Sequence, residues 1–125
     1  MPAFGTATRI VLLFATVAAI PLVARADCSD AESTADDSYA YARRALHELD
    51  FDSAQSLMRR ARDAAEEAQS EAEECGCDDA ASYADDAYTN ARRAYNASNL
   101  RELRYYATRA MKAADKVRDA ASSCN

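Results

Sequence analysis

The residues with the most distinctive chemistry in this chain are its four cysteines, Cys28, Cys75, Cys77 and Cys124. Four cysteines can make a tetrathiolate zinc site or two disulfides. Structural zinc sites use paired clips of the C-x-x-C kind. Here Cys75-Gly76-Cys77 is tighter than that, and Cys28 and Cys124 each stand alone, so disulfides are expected. His47 is the only histidine. With the cysteines bonded it has no thiol to activate, and no serine sits in a nucleophile-elbow pattern. The acidic runs Asp36-Asp37, Glu66-Glu67, Glu71-Ala72-Glu73-Glu74, Asp78-Asp79 and Asp85-Asp86 lack the alternating D-x-D-x-D-G order of a calcium loop. They read as solvated helix faces. No catalytic residue, metal or cofactor is therefore expected.

The tyrosines come next: seven, with no tryptophan in the chain. A phenol has an apolar ring and a polar tip, which suits the margin of a core and equally suits a binding patch. Tyr39 and Tyr88 are expected to serve the core. Tyr41, Tyr83 and Tyr105 lie off the main apolar seam and form the expected partner surface. The arginine pairs Arg43/Arg44, Arg59/Arg60 and Arg92/Arg93 read as ion-pair partners for nearby helical acids.

Disulfides need an oxidising compartment, and residues 1–26 read as the signal that leads there. Arg9 precedes a 15-residue apolar run, Ile10–Ala24, and Ala24-Arg25-Ala26 has the form of a cleavage site. A membrane span needs about 20 apolar residues, so cleavage is the expectation, with residues 27–125 as the mature helical domain. The destination would be the periplasm of a Gram-negative cell, or the exterior in other sources. Cleavage removes Arg9, Arg25 and no acid, leaving 13 bases against 21 acids and a net charge of −8. That acidity argues against nucleic acid and anionic membrane as partners. A partner protein, or a second copy in a homodimer, remains.

An internal repeat organises the mature chain. Residues 28–76 laid over 77–125 give 18 identities in 49 positions without a gap. Cys28 falls on Cys77, Cys75 on Cys124, Tyr39 on Tyr88, and Arg43-Arg44 on Arg92-Arg93. Alanine bias alone does not align cysteines, so the units are a tandem duplication. Strong helix formers fill each unit, broken once near the middle, at 49–52 and 98–102. Asp50, and Asn99 with Glu102, have the placing of N-caps, and Gly76 suits a helix end. Four helices are expected, at roughly 30–48, 51–74, 78–97 and 100–122.

Seam residues recur at +3/+4 spacing. The first helix reads Cys28, Ala31, Ala35, Ser38, Ala42, Ala45, Leu49; the second reads Ala54, Met58, Ala61, Ala65, Ala68, Ala72, Cys75. Such spacing specifies packed, left-handedly supercoiled helices. The segment Asp50-Phe51-Asp52-Ser53-Ala54 through Met58 and Ala61 resembles the start of the second helix of a tetratricopeptide repeat. That likeness implies a helical-hairpin repeat with a peptide-binding face. The period here is 49, against about 34 in that family, and its glycine and proline positions are missing.

The fold class expected is all-α: an antiparallel four-helix bundle of two tandem disulfide-closed hairpins, 28–75 and 77–124. An elongated pair of hairpins that dimerises is the alternative. Cys28–Cys75 with Cys77–Cys124 is the expected pairing, because each unit then keeps a bond its ancestor could form alone. Cys28–Cys77 with Cys75–Cys124 is second. The expected function is that of an exported, non-enzymatic interaction or structural protein, the alternative being a small-molecule binder with a tyrosine-lined pocket between helices.

Overall fold

The computed structural model describes residues 27–124, so the expected signal segment, 1–26, lies outside the described residues. Four helices run in order: α1 (Ser29–Leu46), α2 (Phe51–Glu74), α3 (Asp78–Tyr95) and α4 (Leu100–Ser123), with no strand among the described residues. Every boundary of the second pair lies 49 residues after its counterpart. The duplication is thus one of structure as well as sequence.

The helix ends are set by their caps. Asp50 accepts from the Ser53 backbone N–H at 2.9 Å and from its hydroxyl at 2.8 Å, which starts α2. Those bonds, the backbone one first, hold the Asp50 carboxyl below its ordinary range. Asn99 accepts from the Glu102 N–H at 2.8 Å. Glu102 in turn accepts from the Ser98 N–H, one residue before the cap. α2 stops in a Schellman turn: Cys77 N–H donates to Ala72 O and Gly76 N–H to Glu73 O. Gly76 takes the left-handed conformation, φ 76°, that this turn requires.

α1 and α3 each end two residues sooner than the seam predicts. A seam position stays inward only while the helix lasts, so Leu49 is not a core residue. It is 84% exposed, on the turn between α1 and α2. The chain leaves each of these helices early so that Asp50 can cap α2 and Asn99 can cap α4. At those ends Arg104 donates to Glu48 O at 2.9 Å and Gln55 to Tyr95 O at 2.8 Å. Arg104 and Gln55 stand at equivalent positions of the two units.

The helices pack in a ring, each against the two beside it, α1 on α2 and α4, and α3 on α2 and α4; the diagonal pairs scarcely meet. The two units are therefore packed together in one bundle, not extended apart. Most of the core is alanine, and the largest fully buried side chains are Met58, Leu103 and Val117. Equivalent seam positions of α2 and α4 complement one another in size: Met58 with Ala107, Ala54 with Leu103, Ala68 with Val117. The first four share one buried cluster and the last two another. Pairing large with small at one level lets the facing layers interdigitate. Ser38, the one buried polar residue on the α1 seam, donates to Ala61 O at 2.9 Å.

Two disulfides close the bundle, Cys28–Cys75 and Cys77–Cys124, with Cα–Cα distances of 5.5 and 6.0 Å. This is the pairing expected from the duplication.

Candidate functional site

Alanine seams draw helices close and leave shallow grooves along their outer margins. The tyrosines fill these margins, and each ring has a cation above it. Arg60 lies over Tyr41 between α1 and α2, and Arg62 over Tyr95 between α2 and α3. Lys116 lies over Tyr83, and Arg93 over Tyr106, between α3 and α4. Arg118 closes the α4/α1 margin over Tyr39, 4.6 Å from the ring centroid. Within single helices, Arg44 covers Tyr41, Arg92 covers Tyr88 and Arg109 covers Tyr105. All these separations are 6.0 Å or less, within the reach of the ring quadrupole. Arg44, Arg60, Arg92 and Arg93 therefore serve as tyrosine covers, which corrects their reading as partners of acids. Ion pairs form at Arg62–Asp63 and at Arg118, which bonds both Asp36 and Asp115. Those two carboxylates hold the Arg118 guanidinium more firmly protonated than usual.

The expected partner tyrosines do not share one patch. Tyr105 is exposed and sits beside Tyr106, centroids 5.0 Å apart. Tyr83 is half-buried against the cysteine-end cluster, and Tyr41 against the loop-end cluster, on the α1/α2 side. Tyr39 and Tyr88 are half-buried against the central alanines Ala65, Ala87, Ala113 and Ala114. His47 is exposed at the end of α1.

Tyr83 opens onto the most distinctive surface. The groove between α3 and α4, about 500 Å³, is lined by Tyr83, Thr89, Asn90, Arg93, Arg109, Lys112 and Lys116, with Asp86 its one acid. Arg109 donates to Asn90 Oδ1 at 3.3 Å, which ties the two walls. The equivalent positions in the first unit include Asp63 in place of Lys112 and Glu67 in place of Lys116. The difference extends over the whole repeat. Residues 28–76 hold 13 acids and 5 bases, net −8, while 77–125 hold 7 acids and 8 bases, net +1. Comparing charge unit by unit finds this groove in the sequence; scanning for motifs misses it.

At the other end the sulfurs of Cys28, Cys77 and Cys124 lie within 4.8 Å of one another. Thiolates so placed could ligate a metal, but here the sulfurs are committed to S–S bonds, and Cys28 and Cys77 are buried. Nearby, Glu71 has a buried, unpartnered carboxylate oxygen. Burial raises its pKa, which the Thr34 bond lowers and the acids Glu67, Asp30 and Glu74 raise further. Comparison of the chain with known protein families, with curated proteins and with solved structures finds no match.

Proposed function

We propose that this chain is an exported, non-enzymatic interaction protein, an antiparallel four-helix bundle of two disulfide-closed hairpins that docks an acidic protein surface on its α3/α4 face. The antiparallel reading is supported by each disulfide joining the start of one helix to the end of the next, across turns of a few residues. Export is supported by those disulfides together with the leader-like residues 1–26. None of the described helices is long and apolar enough to cross a membrane. The bonded cysteines and the exposed His47 support a role outside catalysis.

One observation carries the docking face: a chain of net charge −8 after cleavage gathers Arg93, Arg109, Lys112 and Lys116 around one tyrosine-walled groove. Concentrating one sign of charge against the net charge of the molecule gives electrostatic selection of a partner. The small-molecule alternative is less favoured, because the rings lie on helix margins beneath cations and not around an interior space.

Capture from the exported fraction, with oxidised wild-type protein and the Lys112→Asp/Lys116→Glu variant side by side, tests this reading. An acidic protein should be retained by the wild type, released by salt and lost by the variant. Identical retention by both would overturn the assignment of the face. Sequencing the mature amino terminus should find Asp27.

A further inference from the structure

The α1/α2 margin is the duplicated counterpart of the α3/α4 groove, and its charge has the opposite sign. Where the groove has Asp86, Arg93, Arg109, Lys112 and Lys116, a sum of +3, the equivalent positions are Asp37, Arg44, Arg60, Asp63 and Glu67, a sum of −1. Arg44 and Arg60 are spread over the Tyr41 ring, and exposed Glu74 adds to the acidity of α2. Both surfaces have the same helix lengths and the same boundaries, so one is built to the dimensions of the other.

Building on the docking face proposed above, we infer that its partner is a second copy of this chain: the acidic α1/α2 face of one molecule seats in the basic α3/α4 groove of the next. Asp63 and Glu67 on α2 are the groups to meet Lys112 and Lys116 on α4. Two helices side by side, each about 10 Å across and the longer about 36 Å long, present roughly 700 Å² per partner. That is close to the per-partner area of a standard-sized interface.

The packing fixes the symmetry of such a contact. In the ring α1–α2–α3–α4 the α1/α2 and α3/α4 faces are on opposite sides. No two-fold axis brings both pairs of surfaces into one interface. The contact is head-to-tail, and each added molecule leaves one free face of each kind. Association therefore runs on into a chain or closes as a ring. This open geometry differs from the homodimer that the sequence reading leaves possible.

Sedimentation of the oxidised chain carrying its mature sequence reads this out. At about 10 mM salt, where charges act over roughly 30 Å, mean mass should climb with concentration past the dimer. At about 1 M salt, where the range falls to roughly 3 Å, it should return to the monomer. Lys112→Asp/Lys116→Glu and Asp63→Lys/Glu67→Lys should each remain monomeric while keeping helical content and both disulfides. Mixing the two should give a one-to-one heterodimer and stop there, since the acidic α1/α2 face kept by the first variant can seat in the basic groove kept by the second. For the wild type, monomer throughout at low salt, a plateau at dimer, or assembly that neither variant weakens would each overturn the inference. A wild-type monomer that still captured a foreign acidic protein through Lys112 and Lys116 would sink self-assembly alone and leave the docking face standing.

Discussion

Arg118 joins three partners on the α4/α1 margin: the carboxylates of Asp36 and Asp115, and the ring of Tyr39. Asp36 and Tyr39 belong to the other unit, so this one side chain ties the first helix to the last. The Arg118 side chain is 30% exposed, which screens its charge only in part. Exposed ion pairs and cation–π contacts are each worth up to about 1 kcal/mol. Arg118→Gln, which installs the residue the first unit carries there, should cost about 1 kcal/mol in urea unfolding, and most of that cost should persist in high salt if the ring contact dominates. A loss that salt abolishes would assign the clamp to the carboxylates. Glu71 works in the opposite direction. Its carboxyl is raised, chiefly by burial, so the fold holds that proton more tightly than the unfolded chain does. Ionisation then disfavours folding: no cost exists below the ordinary glutamate range, and the full cost is present above the raised value. Glu71→Gln should therefore gain about a few tenths of a kcal/mol at neutral pH, the modest size expected at a half-buried site. The gain should vanish as pH falls through the carboxylate range. A gain that was constant with pH would point to packing instead.

At the scale of helices, the question is what an alanine seam leaves for larger residues to do. Met58 and Ala107 occupy equivalent places on α2 and α4 and share one buried cluster with Ala54 and Leu103. Met58→Ala should cost about 2–5 kcal/mol through the cavity it opens, and Ala107→Met alone should cost about 1–3 kcal/mol by overpacking. Together they exchange large for small at one level, and the double variant should recover more than half of the summed loss. Simple additivity would show that the two positions do not share space. Much of this layer is legible from residue order: the +3/+4 spacing locates four helices, and the duplication selects the disulfide pairing. The ends of α1 and α3 are less so, because a heptad pattern cannot say where a cap will interrupt it, and Leu49 fits the seam spacing for that reason without joining the core. The tyrosine covers within one helix follow i,i+3 and i,i+4 spacing, but those that cross between helices are beyond sequence altogether. Arg62 over Tyr95 and Arg118 over Tyr39 depend on which helices become neighbours in the ring. The opposed charges of Asp63 and Lys112, and of Glu67 and Lys116, are visible in residue order, but their meaning needs the two margins to be equivalent surfaces.

Across the whole molecule the two ends of the bundle are held by different means. The loop end gathers Met58, Leu57 and Leu103, with Leu46, Phe51, Tyr95, Leu100, Tyr106 and Met111 packed around them. The opposite end has alanines, Val117 and the cysteines. Apolar burial stabilises in proportion to area, so the cysteine end gains least from its core, and both covalent bonds are placed there. Each closes a separation of 47 residues, worth about 4 kcal/mol in the chain-entropy account. Cys28→Ser/Cys75→Ser should lower stability by about that amount. The loss should also be local before it is global, since regions with little buried apolar surface open first. Hydrogen exchange on the reduced protein should show early loss of protection near residues 29–35, 72–80 and 117–123, while amides around Met58 and Leu103 hold. The disulfide-intact protein should show no such gradient between its ends. Uniform loss on reduction would mean that the bundle opens as a single cooperative unit, with the bonds acting on the unfolded chain alone.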